Sequence, residues 1–153
     1  MNAQSQKGFM PIILGIIAII AVIIGAMMIG GGGAPQEKVS TPPAPITVIL
    51  YSQNDSGQEG AATITDMAGR THVRLIVGNY TADVSQPAHI HTGSCSNLGG
   101  VDHPLNNVVN GSSETMLGES LGHITSGLPL AINVHKSSAE ASTYVSCGDI
   151  LAQ

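Results

Sequence analysis

Hydrophobic and polar positions follow three different rhythms along the chain. From Phe9 to Ile29 the residues are almost continuously apolar and carry no charge. About 20 such residues span a bilayer as a helix, so the pattern predicts a transmembrane signal-anchor over residues 9–30. Pro11 falls in its first turn, where a missing N–H is tolerated. Lys7 is the one charge before the run, which places a short N-terminus (1–8) in the cytoplasm and the chain beyond the span outside it. A cleaved signal peptide is the competing reading, but its apolar region is normally shorter, roughly 7–15 residues. Residues 31–45 are Gly-rich and then Pro-rich. Such a stretch is flexible near the membrane and extended further out, a linker that buries nothing.

From Ile46 onward the rhythm becomes short β-branched or alternating runs between turn residues. Strands are expected at Ile46–Tyr51, Ala61–Thr65, Thr71–Val77, around Ala88–His91, at Glu114–Leu117, Leu128–His135 and Thr143–Cys147. Asn54–Gly57 reads as a turn and Met67–Arg70 as a hairpin turn. Residues 78–86 read as a loop, and 94–110, rich in Gly, Asn and Pro, as a long irregular stretch. No convincing helical period is present. Seven short strands with turns every 8–12 residues or so predict one all-β domain over 46–153, an antiparallel β-sandwich.

Composition narrows the picture. Aromatic residues make up 3% of the 153 and Trp is absent, so the core has to be aliphatic. The formal net charge is −5 and there is no Lys/Arg run, which argues against nucleic acid and against a polybasic lipid-binding surface. No Gly-x-Ser-x-Gly, phosphate-binding loop or His-Glu-x-x-His occurs, so hydrolase and nucleotide-binding readings lack support.

The candidate chemistry is concentrated in Ala88-His89-Ile90-His91-Thr92-Gly93-Ser94-Cys95. Side chains alternate along a strand, so His89 and His91 share one face while Ile90 points into the core. His135 ends another apolar run. Imidazole suits copper and zinc, and a flattened set of three or four nitrogens favours Cu(II). The two cysteines, Cys95 and Cys147, are expected to pair in an exported domain. That bond would close a loop of some fifty residues, worth roughly 4 kcal/mol in the chain-entropy model.

Ala88-His89-Ile90-His91, then Cys95, Val134-His135-Lys136 and Val145-Ser146-Cys147-Gly148-Asp149-Ile150 resemble the copper/zinc superoxide dismutase family in order and chemistry. The resemblance runs over about residues 69–151. It implies a Greek-key, immunoglobulin-like β-sandwich, an intrasubunit Cys95–Cys147 disulfide, and one copper ion at His89, His91 and His135. His103, in a Gly-rich stretch after Cys95, matches the family's bridging histidine and would be the fourth ligand. Asp102 beside it could orient the imidazole. A family-type zinc site is not expected: Pro104 to Gly122 offers only Glu114 and Glu119. Tyr144 stands where the family keeps an arginine that guides superoxide. Permanent cations after Ile46 are few (Arg70, Arg74, Lys136), so anion steering is expected to be reduced. His123 and His72 are weaker candidates, read first as loop and strand residues.

The expectation is therefore a single-pass, extracytoplasmic, copper-binding protein that acts on superoxide or another small molecule, with a homodimer compatible with the reading. The rival reading comes from CHRD domains, which the His-Ile-His and Ile-Asn-Val-His strands also resemble. It implies a non-catalytic cell-surface domain for metal storage, structure or adhesion.

Overall fold

The computed structural model describes residues 41–151. The expected anchor over 9–30 and most of the 31–45 linker lie outside the described residues. No helix among the described residues is long and apolar enough to cross a membrane.

Eight antiparallel strands form the domain: β1 Ile46–Ser52, β2 Gly60–Asp66, β3 Thr71–Val77, β4 Ser85–Ser94, β5 Asn97–Val109, β6 Ser112–Leu117, β7 Leu130–His135 and β8 Tyr144–Ile150. They close into one barrel in the order β1-β2-β3-β6-β5-β4-β7-β8. The expected sandwich is thus a single closed sheet, which leaves no strand edge unpaired at the ends of the series. β1 shows why the chain folds so: Ile46, Val48 and Leu50 are buried while Thr47, Ile49 and Tyr51 face outward. The same alternation in β2, β3 and β6 buries the aliphatic Ile64, Val73, Leu75 and Leu117, with Thr71, Ser113 and Thr115 as buried polar residues on the same strands.

Two hairpins are set by local backbone chemistry. Ala68 and Gly69 have φ of 54° and 84°, and Asn110 and Gly111 have 48° and 78°. Paired positive φ values mark the tight turns whose twist matches that of the strands. The first is the expected Met67–Arg70 turn, where the two end residues exchange backbone hydrogen bonds.

The irregular stretch expected over 94–110 is instead β5, the longest strand. Its 13 residues lie against the 10 of β4. The surplus is taken up by bulges on β5: Ile90 pairs with His103 but His91 with Val101, leaving Asp102 as an extra residue. Similar irregularities fall at 99–100 and 106–107. Gly, Asp and Asn are poor strand formers, and here Gly99, Gly100, Asp102, Asn106 and Asn107 occupy the bulges, where such residues are tolerated. β5 joins β6 through one pair, Val109 with Ser112. Side chains extend the seam: Asn106 N–H donates to Thr115 Oγ1 at 2.8 Å, and Ser113 Oγ donates to Asn106 O at 2.7 Å.

Between β6 and β7 lies a short helix, α1, Leu121–Thr125, in a region read as loop. Ser120 caps it, its side chain accepting from His123 N–H, and Leu121 and Ile124 are buried on one side. Five residues are too few to display a helical period in the sequence.

Cys95 and Cys147 form a disulfide, as expected. It ties the β4–β5 turn to the centre of β8, and Cys95 N–H also donates to Asp149 Oδ1 at 2.7 Å. Next to it β8 runs tight against β1: a Cβ on Gly148 would stand 2.2 Å from Ile49 O. A Cys95→Ser, Cys147→Ser double variant should lose about 4 kcal/mol of unfolding free energy, measured by urea titration against the oxidised parent. A loss under 1 kcal/mol would mean that the denatured chain is already restricted without the bond.

Candidate metal centre

Register brings the three histidines together. β4 pairs with β7 without irregularity, His89 opposite Asn133 and His91 opposite Ala131. Opposed residues share a face, so His89, His91, Asn133 and, two residues on, His135 all project away from the core. Ile90 and Ile132, opposite each other, fill the core instead. One nitrogen from each of His89, His91 and His135 lies within 4.8 Å of the others, close enough for all three to hold one metal ion.

Backbone carbonyls select the nitrogen each ring presents. His91 Nδ1 donates to Gly99 O at 3.1 Å, and His135 Nδ1 donates to Ala141 O. Each of these rings is thereby left with a lone pair on Nε2, the usual outer support of a ligating histidine. His91 Nε2 is buried with no hydrogen-bond partner, a costly state for a polar atom that a cation would relieve. His135 Nε2 lies 3.0 Å from His89 Nδ1, so without a metal the two nitrogens share one proton. The nitrogens left to face a cation are His89 Nδ1, His91 Nε2 and His135 Nε2. The set contains no carboxylate.

Three further features fix the arrangement. The Tyr144 ring stands edge-on to His135, centroids 5.1 Å apart. Buried Gln86 donates to Gln58 Oε1 at 3.0 Å and lies 3.4 Å from His135 O, anchoring the end of β7. Asn133, fully buried opposite His89, keeps its Oδ1 unpartnered beside the cluster. Sequence reasoning missed Gly99, Ala141 and Asn133. The first two act through carbonyls, which every residue carries; the polar Asn133 inside the apolar run of β7 was a usable signal.

His103, expected as the fourth ligand, is not brought to this cluster. It pairs with Ile90 and so lies on the opposite face of the sheet. The bulge at Asp102 shifts β5 by one residue and turns His103 away. Its ring faces Asp102 and Glu119 instead, at 2.9 and 3.4 Å. His123 sits on α1 beside Glu119, and His72 on β3 beside Glu114. Asp102 accompanies His103, away from the three-histidine centre.

Comparison with protein-family models, with curated proteins and with solved structures finds no match for this chain.

Burial lowers the pKa of both His89 and His135, and the neighbouring imidazoles lower them further, while the bond to Ala141 O partly offsets this at His135. Both rings are therefore neutral, the form that binds metal, at pH values where a free histidine is already partly charged. A histidine whose folded pKa is depressed contributes full stability above its unfolded pKa of about 6.5 and loses it as the pH falls toward the folded value. The midpoint of thermal unfolding of the metal-free protein should be level from pH 8 to about 6.5 and then decline. A His89→Gln, His135→Gln variant should decline less steeply over pH 6.5–5. An unchanged acid limb in that variant would assign the decline to other groups.

Proposed function

We propose that this chain is a copper-binding, superoxide dismutase-like protein, its β-domain held outside the cytoplasm by an anchor over residues 9–30. The observation that carries the reading is the set of three converging imidazoles with the orphaned, buried His91 Nε2 among them. Nitrogen donors without carboxylates suit copper or zinc rather than magnesium or calcium. The strand order supports the reading: β4-β5-β6 is nested between β3 and β7 by two crossovers, the arrangement of a Greek key. The disulfide agrees with an oxidising compartment outside the cytoplasm.

His89, His91 and His135 would hold the ion, and copper would supply a one-electron cycle between Cu(I) and Cu(II). The chain's own contribution is positional. Gly99 O and Ala141 O hold the His91 and His135 rings in the ligating tautomer, and Tyr144 limits rotation of the His135 ring at the end of β7. His89 is only half-buried, so a small molecule can reach the cluster from its side.

One observation favours the non-catalytic, CHRD-like reading as the second choice. Lys136, the cation nearest His135 in sequence, is engaged by Glu140 at 2.7 Å, and Arg74 is engaged by Glu114 at 3.3 Å. Little free positive field remains to draw in superoxide.

Titration of the full-length chain in detergent with Cu(II), followed by electron paramagnetic resonance, should show one equivalent with nitrogen hyperfine splitting. His135→Ala should weaken that binding at least about tenfold, the scale seen when a ligand's support is lost. Heterogeneous spectra without nitrogen splitting would remove copper from the site. If dismutation accompanies binding, its rate should vary little with ionic strength, because steering is screened away only where it exists. A rate no greater than that of copper in buffer would leave the storage or structural role.

A further inference from the structure

A second group of metal-ligating side chains lies on the other face of the sheet, where α1 covers the barrel end. Glu119 Oε2 is approached by His103 Nε2 at 3.4 Å and by His123 Nε2 at 3.3 Å. Asp102 Oδ2 stands 2.9 Å from His103 Nδ1, close enough for an ion pair but out of line for a hydrogen bond, so Nδ1 is buried without a hydrogen-bond partner. Together with Ile124, Ser126 and Gly127 these residues line a cavity of about 280 Å³.

We propose that Glu119, His103 and His123 form a second divalent-cation site of the zinc type, with Asp102 as the residue that orients His103. A neutral imidazole carries one N–H. Whichever nitrogen of His103 holds it, the other turns a lone pair toward a carboxylate, Asp102 or Glu119. His123 Nε2 meets the same oxygen of Glu119. Positive charge at the point of convergence removes this conflict, and one divalent cation balances the two carboxylates without charging either ring.

Two of the three ligand separations suit the ion, and the third, between His103 and His123, is too long. Donors on a tetrahedral zinc with bonds of about 2.0–2.1 Å are separated by about 3.3–3.4 Å. Those are the two separations found here. Among the described residues only the His89 cluster already has every ligand atom within 4.8 Å of the rest. The second site therefore closes on its ion by a swing of His123, whose side chain is 71% exposed. The fixed parts are well held: Thr71 Oγ1 donates to Glu119 O at 2.8 Å, and Leu121 and Ile124 root α1 in the core. Two histidines and one glutamate leave the fourth position to water, for which the cavity has room.

The test uses the full-length, oxidised chain carrying His91→Ala and His135→Ala, which disables the first centre. Co(II), a spectroscopic stand-in for zinc, is titrated by visible absorption and calorimetry. One equivalent should bind with the d–d bands of a low-symmetry site and be displaced by Zn(II). Adding His123→Ala or Glu119→Gln, both at exposed positions, should weaken Co(II) binding at least about tenfold, and Asp102→Asn about 10–100-fold. Circular dichroism of each variant should match that of the parent. No uptake in the His91→Ala, His135→Ala background, or uptake undiminished by His123→Ala, would overturn the proposal. Failure of the first centre reads differently: the parent and the background variant would then bind the same single equivalent.

Discussion

The register between β4 and β7 is the constraint on which both the barrel and its metal centre rest. With Ala88 against Val134 and Ile90 against Ile132, four aliphatic side chains enter the core. The same register sets His89 and His91 beside the face that carries Asn133 and His135. A strand has a period of two, so a slip of one residue would exchange the faces. It would expose Ile90, forfeiting roughly 1.5–3 kcal/mol for that side chain alone, and drive imidazoles into an aliphatic interior with no partners. The histidines are thus gathered by the residues between them.

How much of this the sequence discloses depends on how local each cause is. The His-x-His alternation, the apolar runs of β1, β3 and β7, the Met67–Arg70 hairpin and the cysteine pair are local or arithmetic features, and each corresponds to what the structure contains. The Asn110–Gly111 turn is equally local, but it straddles the end of the 94–110 stretch, whose composition reads as irregular. β5 escapes sequence reasoning because most of its residues are exposed and several disfavour strands; only Leu105 and Val108 reach the interior. It forms because β4 offers it a partner. His103 shows the consequence. Its place in the sequence fits a ligand of the first centre, but an extra residue at Asp102 reverses the side on which it emerges.

The two histidine groups differ in what surrounds them. At the first centre the outer partners of His91 and His135 are neutral carbonyls, and burial together with neighbouring imidazoles favours the uncharged forms of His89 and His135. At His103 and His123 the partners are carboxylates. A nitrogen-only set and a set with oxygen present different softness to a cation. One small barrel therefore offers two kinds of donor set on opposite faces of one sheet.

The supports of the first centre come from segments outside regular pairing. Gly99 lies in a bulged part of β5, just beyond the turn that carries Cys95, and Ala141 lies in the connection from β7 to β8. Neither is held by the core. The turn is fixed to β8 by the disulfide and by Asp149, and the connection is closed by Lys136 N–H donating to Thr143 O and by the Lys136–Glu140 ion pair. An exposed ion pair contributes little by itself, so the covalent tie and the backbone bonds carry most of the positioning. The tautomer of His91 consequently depends on a carbonyl that the disulfide helps to hold in place. Breaking that bond would act on the centre through Gly99, at a distance, while leaving the β4–β7 register and the three imidazoles where the core puts them.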